Sequence, residues 1–120
     1  MKKSFFGISS LMVALLWPMA PAQAQYTGPG AVQAITSLQQ VLERPVDGVA
    51  VVLRGQLVRQ LSADKYVFSD GKQEIRVDID RQLFPAQPVT ASTMLEIVGE
   101  VEKDYLESPE IDVDLIRVVR

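Results

Sequence analysis

From Val49 onward, apolar and polar residues alternate with a period of two. Val49, Val51, Leu53, Gly55 and Leu57 fall on one side of the chain, Arg54 and Gln56 on the other. Successive side chains of an extended strand point to opposite faces, so this pattern predicts strands with one buried face. The run continues to Leu61 but loses phase at Leu57-Val58, after a glycine, which predicts a bulge or sharp bend in one long strand. Three conditions then recur: short alternating runs, turn residues between them, and no second helical pattern of any length.

The remaining strands follow from the same signals. Lys65 to Ser69 places Tyr66 and Phe68 on one face, predicted to be the core. Asp70-Gly71 is a strong turn signal. Gln73 to Ile79 directs Ile75, Val77 and Ile79 one way and Glu74, Arg76 and Asp78 the other. In Asp80 to Ala91 the alternation stops. Asp80 is placed to cap a short helical turn through Leu83 and Phe84, stopped by Pro85 and Pro88. Met94 to Glu102 and Glu110 to Val119 are the last two strands, joined by a loop over Lys103 to Pro109. Before the strands, Val32, Ile35, Leu38 and Leu42 recur at helical spacing, predicting a helix over Ala31 to Leu42 that ends by Pro45 and Gly48.

The N-terminus reads differently. Lys2 and Lys3 precede a mostly apolar stretch from Phe5 to Leu16, then Pro18, Pro21 and Ala22-Gln23-Ala24. This is the pattern of a cleaved export signal, expected to be cut after Ala24. The apolar run falls short of the roughly 20 residues that a membrane span needs. The expected division is therefore 1–24 signal peptide, 25–30 flexible lead-in and 31–120 folded domain, in a periplasmic protein. Removing 24 of the 120 residues leaves 96, enough for one small domain. All 15 acids lie after the signal and two of the 12 bases within it, so the mature chain is more acidic than the whole. An acidic domain repels phosphate backbones, which argues against nucleic acid as a partner. The chain has no histidine and no cysteine, which excludes Ser-His and Cys-His nucleophile systems, disulfides and His/Cys zinc sites. No cofactor fingerprint is present, and no enzyme activity is expected.

The element order suits a small closed barrel: helix, long bent strand, hairpin, helical crossing, hairpin. The expected class is mainly β, a five-stranded Greek-key OB-fold barrel with an N-terminal helix and a short helical crossing between strands three and four.

On these residues the chain resembles the bacterial OB-fold (BOF) family, the NirD/YgiW/YdeI stress-tolerance proteins. The likeness runs from about Gly28 to Ile116. It is carried by Gly28-Pro29, Val51, Leu53 and Gly55; by Tyr66, Phe68 and Asp70; by Glu74-Ile75, Val77 and Ile79-Asp80; by Gly99-Glu100-Val101 with Lys103-Asp104; and by Ile111-Asp112-Val113 and Ile116. Phe84 stands where a Trp is common, and Ala91 where a Pro is usual. The resemblance implies a non-enzymatic periplasmic binding module that helps the cell tolerate oxidant, metal, acid or cationic-peptide stress. Cell-wall fragments and envelope proteins are among the partners it implies.

OB barrels bind ligands on the second and third strands and the loops at their rim. In this chain that surface carries Arg59, Lys65, Arg76, Asp78 and, in the last loop, Tyr105, with room for a small polar ligand. A second candidate is the acidic hairpin of strands four and five. Glu100 and Glu102 are expected to lie near Asp112 and Asp114 on its outer face, where a hard cation would relieve their repulsion. That makes a cation-binding protein the alternative function. The plainer reading of the same acids is a solvated face partly neutralised by Arg54 and Arg76.

Overall fold

A computed structural model describes residue 29 and residues 33–120 of the chain. The expected export segment, its cleavage point and nearly all of the lead-in lie outside the described residues.

The alternation from Val49 produces β1, Ala50–Gln60. β2 (Lys65–Ser69), β3 (Glu74–Asp78), β4 (Leu95–Glu102) and β5 (Glu110–Val118) follow, with a 3-10 turn at Arg81–Leu83 between β3 and β4. The five strands close into a barrel in the order β1-β2-β3-β5-β4. All pairs are antiparallel except β3 with β5, which run parallel and form the seam.

The inward faces are those that the alternation predicts, except that on β2 Val67, on the face opposite Phe68, is buried as well. Phe68, Val77 and Ile97 are fully buried, as are Val51, Ile79, Leu95 and Ile111. Tyr66, on the face of Phe68, is only half-buried and packs at the edge of this core. Asp70 Oδ1 accepts hydrogen bonds from the backbone N–H of Lys72 and Gln73, both at 2.8 Å, and Gly71 adopts a φ of 95°. The Asp70-Gly71 turn is thus closed by its own side chain. Asp80 caps the 3-10 turn by accepting from Gln82 N–H at 2.9 Å.

Two registers slip. β1 bulges between Leu57 and Arg59, so Val58 has no partner on β2. β5 bulges opposite Val98 and Gly99, so Asp114 has none on β4. Gly55 lies where β1 passes from pairing with β4 to pairing with β2. A Cβ there would overlap the Ser69 carbonyl oxygen and press on the Phe68 ring. The glycine lets the strand bend this tightly over the core.

The helix is shorter than its spacing predicts. α1 covers only Leu38–Glu43, capped by the Ser37 side chain. Residues Gln33 to Ser37 are not helical. Ile35 instead bridges Val51 in parallel, its N–H donating to the Ala50 carbonyl at 2.9 Å and its carbonyl accepting from Val52 N–H at 2.9 Å. Ile35 reaches the barrel either way, but the open edge of β1 offers it backbone partners that a first helical turn lacks.

Candidate functional site

The strand registers set the residues of the outer face, most of them charged, in rows across the barrel. One row runs Arg59, Val67, Arg76, Glu110, Glu102. A second runs Lys65, Asp78, Asp112, Glu100. A third is Arg54, Glu96, Arg117. The two candidate sites of the sequence therefore share one continuous surface. Lys65, Arg76 and Asp78 occupy its β2–β3 side, Glu100, Glu102 and Asp112 its β4–β5 side.

Within it most charges are already matched. Lys65 Nζ is 2.9 Å from Asp78 Oδ2 and 2.9 Å from Glu110 Oε2. Arg76 Nε is 2.6 Å from Glu110 Oε1. These bonds, to Glu110 first and then Asp78, hold the Lys65 ammonium well above its ordinary pKa. Glu96 is the buried charged residue, 8% exposed, and takes Arg54 at 3.0 Å and Arg117 on its two oxygens. Burial pushes its carboxyl up, but the two arginines outweigh that and hold it below the ordinary value. This corrects half of the expected neutralisation: Arg54 serves Glu96 rather than the acids between Glu100 and Asp114, whereas Arg76 does pair with one of them, Glu110. The role of Glu110 is not legible in the sequence, because the parallel β3–β5 register leaves no local mark.

The four hairpin acids are spread out. Glu100 faces Asp112, Glu102 faces Glu110, and Asp114 sits in the bulge. Partial desolvation, then the charges of Asp114 and Asp78, raise the Asp112 carboxyl. Partial desolvation and then Asp112 raise that of Glu102. Among the described residues no three acids gather in a group able to hold a metal ion. The cation reading thus finds repulsion but no formed cage.

Arg59 stands apart from Lys65, Arg76 and Asp78. Among the described residues it forms no ion pair. It lines an open groove of about 350 Å³ with Leu57, Val58, Gln60, Tyr66, Phe84 and the segment Val89-Thr90-Ala91. Tyr66 and Phe84 form its aromatic floor, their ring centroids 5.5 Å apart and tilted by 55°. Among the described residues, none that lines it is acidic. Phe84, Thr90 and Ala91 were not anticipated as site residues; they come from the crossing segment, whose path has no periodicity to read. Tyr105 is 98% exposed in the β4–β5 loop and lines neither this groove nor a second one bounded by Leu42, Glu74, Ile75, Arg76, Ser108 and Pro109.

The barrel order, the helical crossing and the β-rim groove are those of an OB fold, and the family of bacterial OB fold (BOF) proteins matches residues 17–118. The chain belongs to the BOF family. It is 37% identical over 97 residues to the calcium-regulated OB-fold protein CarO of Pseudomonas aeruginosa, covering 81% of this chain and 82% of that one. It is 36% identical to protein YgiW of Escherichia coli K12 over an alignment of 129 positions, 98% of each chain. The solved structure of YgiW superposes with a TM-score of 0.66 at 40% identity, covering 72% of this BOF protein and 91% of YgiW. A chain of the S. pombe Stn1-Ten1 complex shares the fold alone, with a TM-score of 0.57 at 22% identity over 77% of this chain and 80% of that one. None of these relatives carries an enzyme name. Among the described residues of this BOF protein, no helix is long and apolar enough to cross a membrane.

Proposed function

We propose that this BOF protein is a periplasmic, non-enzymatic binding module that contributes to envelope stress tolerance, and that it takes a small polar ligand bearing a negative charge in the groove beside Arg59. One observation carries the binding reading. In an acidic protein whose other barrel-face cations are matched to carboxylates, Arg59 has no ion-pair partner among the described residues and lies in a groove where none of them supplies an acid. An unpaired arginine beside an aromatic floor offers a carboxylate a bidentate partner and the ligand's body an apolar surface. Family membership and the export-like N-terminus support the envelope location; the resemblance to stress-tolerance proteins supports the role.

Two measurements test the reading. Mass spectrometry of the periplasmic fraction is expected to find a chain beginning at Gln25. An NMR titration with a muropeptide, a carboxylate-bearing cell-wall fragment, is expected to shift the signals of Arg59, Tyr66 and Thr90, with the response lost in Arg59→Gln. A chain retained in the cytoplasm would refute the location, and a muropeptide response confined to the β4–β5 hairpin would refute the groove. Calcium in the same titration addresses the alternative: shifts centred on Asp112 and Glu102 would favour a cation-binding protein.

A further inference from the structure

The two halves of β1 have different surroundings. Ala50 to Gly55 pair with β4 on one edge, and the Ile35 backbone bridges Val51 on the other. Gln56, Leu57, Arg59 and Gln60 pair with β2, but the β4 ladder stops at Gly55 opposite Leu95. Among the described residues no strand pairs with the second edge of Leu57 to Gln60. The chain before β4 does not continue along it. It folds into a turn in which Thr93 N–H donates to the Thr90 carbonyl at 3.1 Å and Thr90 N–H to Thr93 Oγ1 at 2.9 Å. One long hydrogen bond, from Gln56 Nε2 to the Ser92 carbonyl at 3.4 Å, links that turn to this half of β1.

The Arg59 groove is lined by this half of β1 and by the segment that precedes the turn, together with Tyr66 and Phe84. Four consecutive strand residues, Leu57 to Gln60, line it along with Val89, Thr90 and Ala91. An unpaired strand edge presents backbone donors and acceptors to any extended chain that fits beside it. This edge is also guarded. The bulge at Val58 interrupts its regularity, and Arg59 projects a charge beside it. Bulges and charges on edges exclude unselected partners. Here the guard is a single cation with no acid among the described residues that line the groove, so it repels basic segments and is satisfied by acidic ones. The half-exposed Val58, at 37%, adds an apolar contact on the same edge.

We infer that the open second edge of β1, at Leu57 to Gln60, accepts an extended peptide segment as an added strand, and that Arg59 selects one carrying a carboxylate. The inference rests on reading the Arg59 groove as the binding site and names a peptide as its occupant.

The test uses the 15N-labelled protein purified from the periplasm and three kinds of synthetic peptide. The first is acetyl-Val-Glu-Val-Thr-Val-amide, and the second has Lys in place of Glu. The third is a pair of N-methylated forms of the first, one methylated at alternate positions and one at the remaining positions. Only alternate N–H groups of an added strand face the edge. The Glu peptide is expected to shift and protect the amides of Val58, Arg59 and Gln60, and to bind at least tenfold more tightly than the Lys peptide. Arg59→Gln is expected to remove that preference. One N-methylated form is expected to lose binding while the other retains it. Equal binding of both N-methylated forms would overturn strand addition while leaving Arg59 as a carboxylate site. Failure of the Glu peptide at millimolar concentration, with the muropeptide still bound, would do the same. Peptide binding without any muropeptide response would instead leave the strand and remove the small-ligand reading. An edge that pairs with no peptide at all would be a guarded edge only, and would refute the inference.

Discussion

Lys65 Nζ lies 2.9 Å from Glu110 Oε2, joining the first residue of β2 to the first residue of β5 across the intervening β3. The same ammonium holds Asp78 at the end of β3. Three strands are thus tied at the one parallel junction of the barrel. Parallel pairing is the least stable ladder per residue, and the ion pairs sit at the point where closure needs support.

Replacing Lys65 by Met is therefore expected to loosen the seam. The side chains are partly exposed, 31% for Lys65 and 14% for Glu110, so solvent screening limits the loss to about 1 kcal/mol. Urea denaturation is the measurement, and high salt is expected to narrow the difference from wild type. Because the Lys65 pKa is raised in the folded state, its contribution is complete at neutral pH and is lost only as strongly alkaline pH deprotonates it. An unchanged midpoint at low salt would show that the seam closes without it.

Asp112→Asn is expected to stabilise the protein at neutral pH. The Asp112 carboxyl is held above its ordinary value by partial desolvation and by Asp114 and Asp78. A group with a raised folded pKa favours folding while protonated, and that benefit is lost as pH rises through the folded value. The ionised form therefore costs stability at pH 7, and Asn removes the charge. Melting curves are expected to show a gain at neutral pH that fades on acidification, where wild-type Asp112 becomes neutral itself. A gain that persists undiminished in acid would point to packing instead.

Asp70→Asn is expected to act in the opposite sense. The backbone N–H of Gln73, then that of Lys72, donate to its carboxylate and lower its pKa. The charge-assisted turn is favoured above the unfolded pKa and lost as pH falls through the folded one. The substitution is thus expected to destabilise at neutral pH, with the loss shrinking in acid. Comparing the two variants over one pH series separates these signs.

Gly55→Ala is expected to destabilise by about 1–3 kcal/mol, the usual range for forcing atoms into a packed interior. The new Cβ would meet the Ser69 carbonyl, which is backbone and yields little. Phe68→Ala, at the centre of the core, is expected to cost about 3–5 kcal/mol. Chemical denaturation of both variants checks the pair, and wild-type stability in Gly55→Ala would mean that β1 can cross between its partners without this bend.

Much of the architecture was legible from local pattern. Strand positions, their inward faces and the Asp70-Gly71 and Asp80 turns all follow from residues within a few positions of one another. The candidate site was legible only in part. Arg59, Lys65, Arg76 and Asp78 do lie on β1 to β3, but Lys65, Arg76 and Asp78 join a structural ion-pair network with Glu110, whereas Arg59 faces a groove completed by Phe84 and Thr90.

By itself the sequence determined which residues point inward, because a strand's two-residue period is a property of the backbone and needs no distant partner. It also determined where the chain turns, since Gly71, Asp70 and Asp80 satisfy local backbone geometry. Tertiary structure alone decided which charge meets which, where the bulges fall and where the helix begins. Those outcomes depend on register between strands far apart in the chain. Register is settled by the whole core closing at once: Ile35 gives up helix to pair with β1, and Glu110 meets Lys65 because β5 must lie beside β3 for the barrel to close.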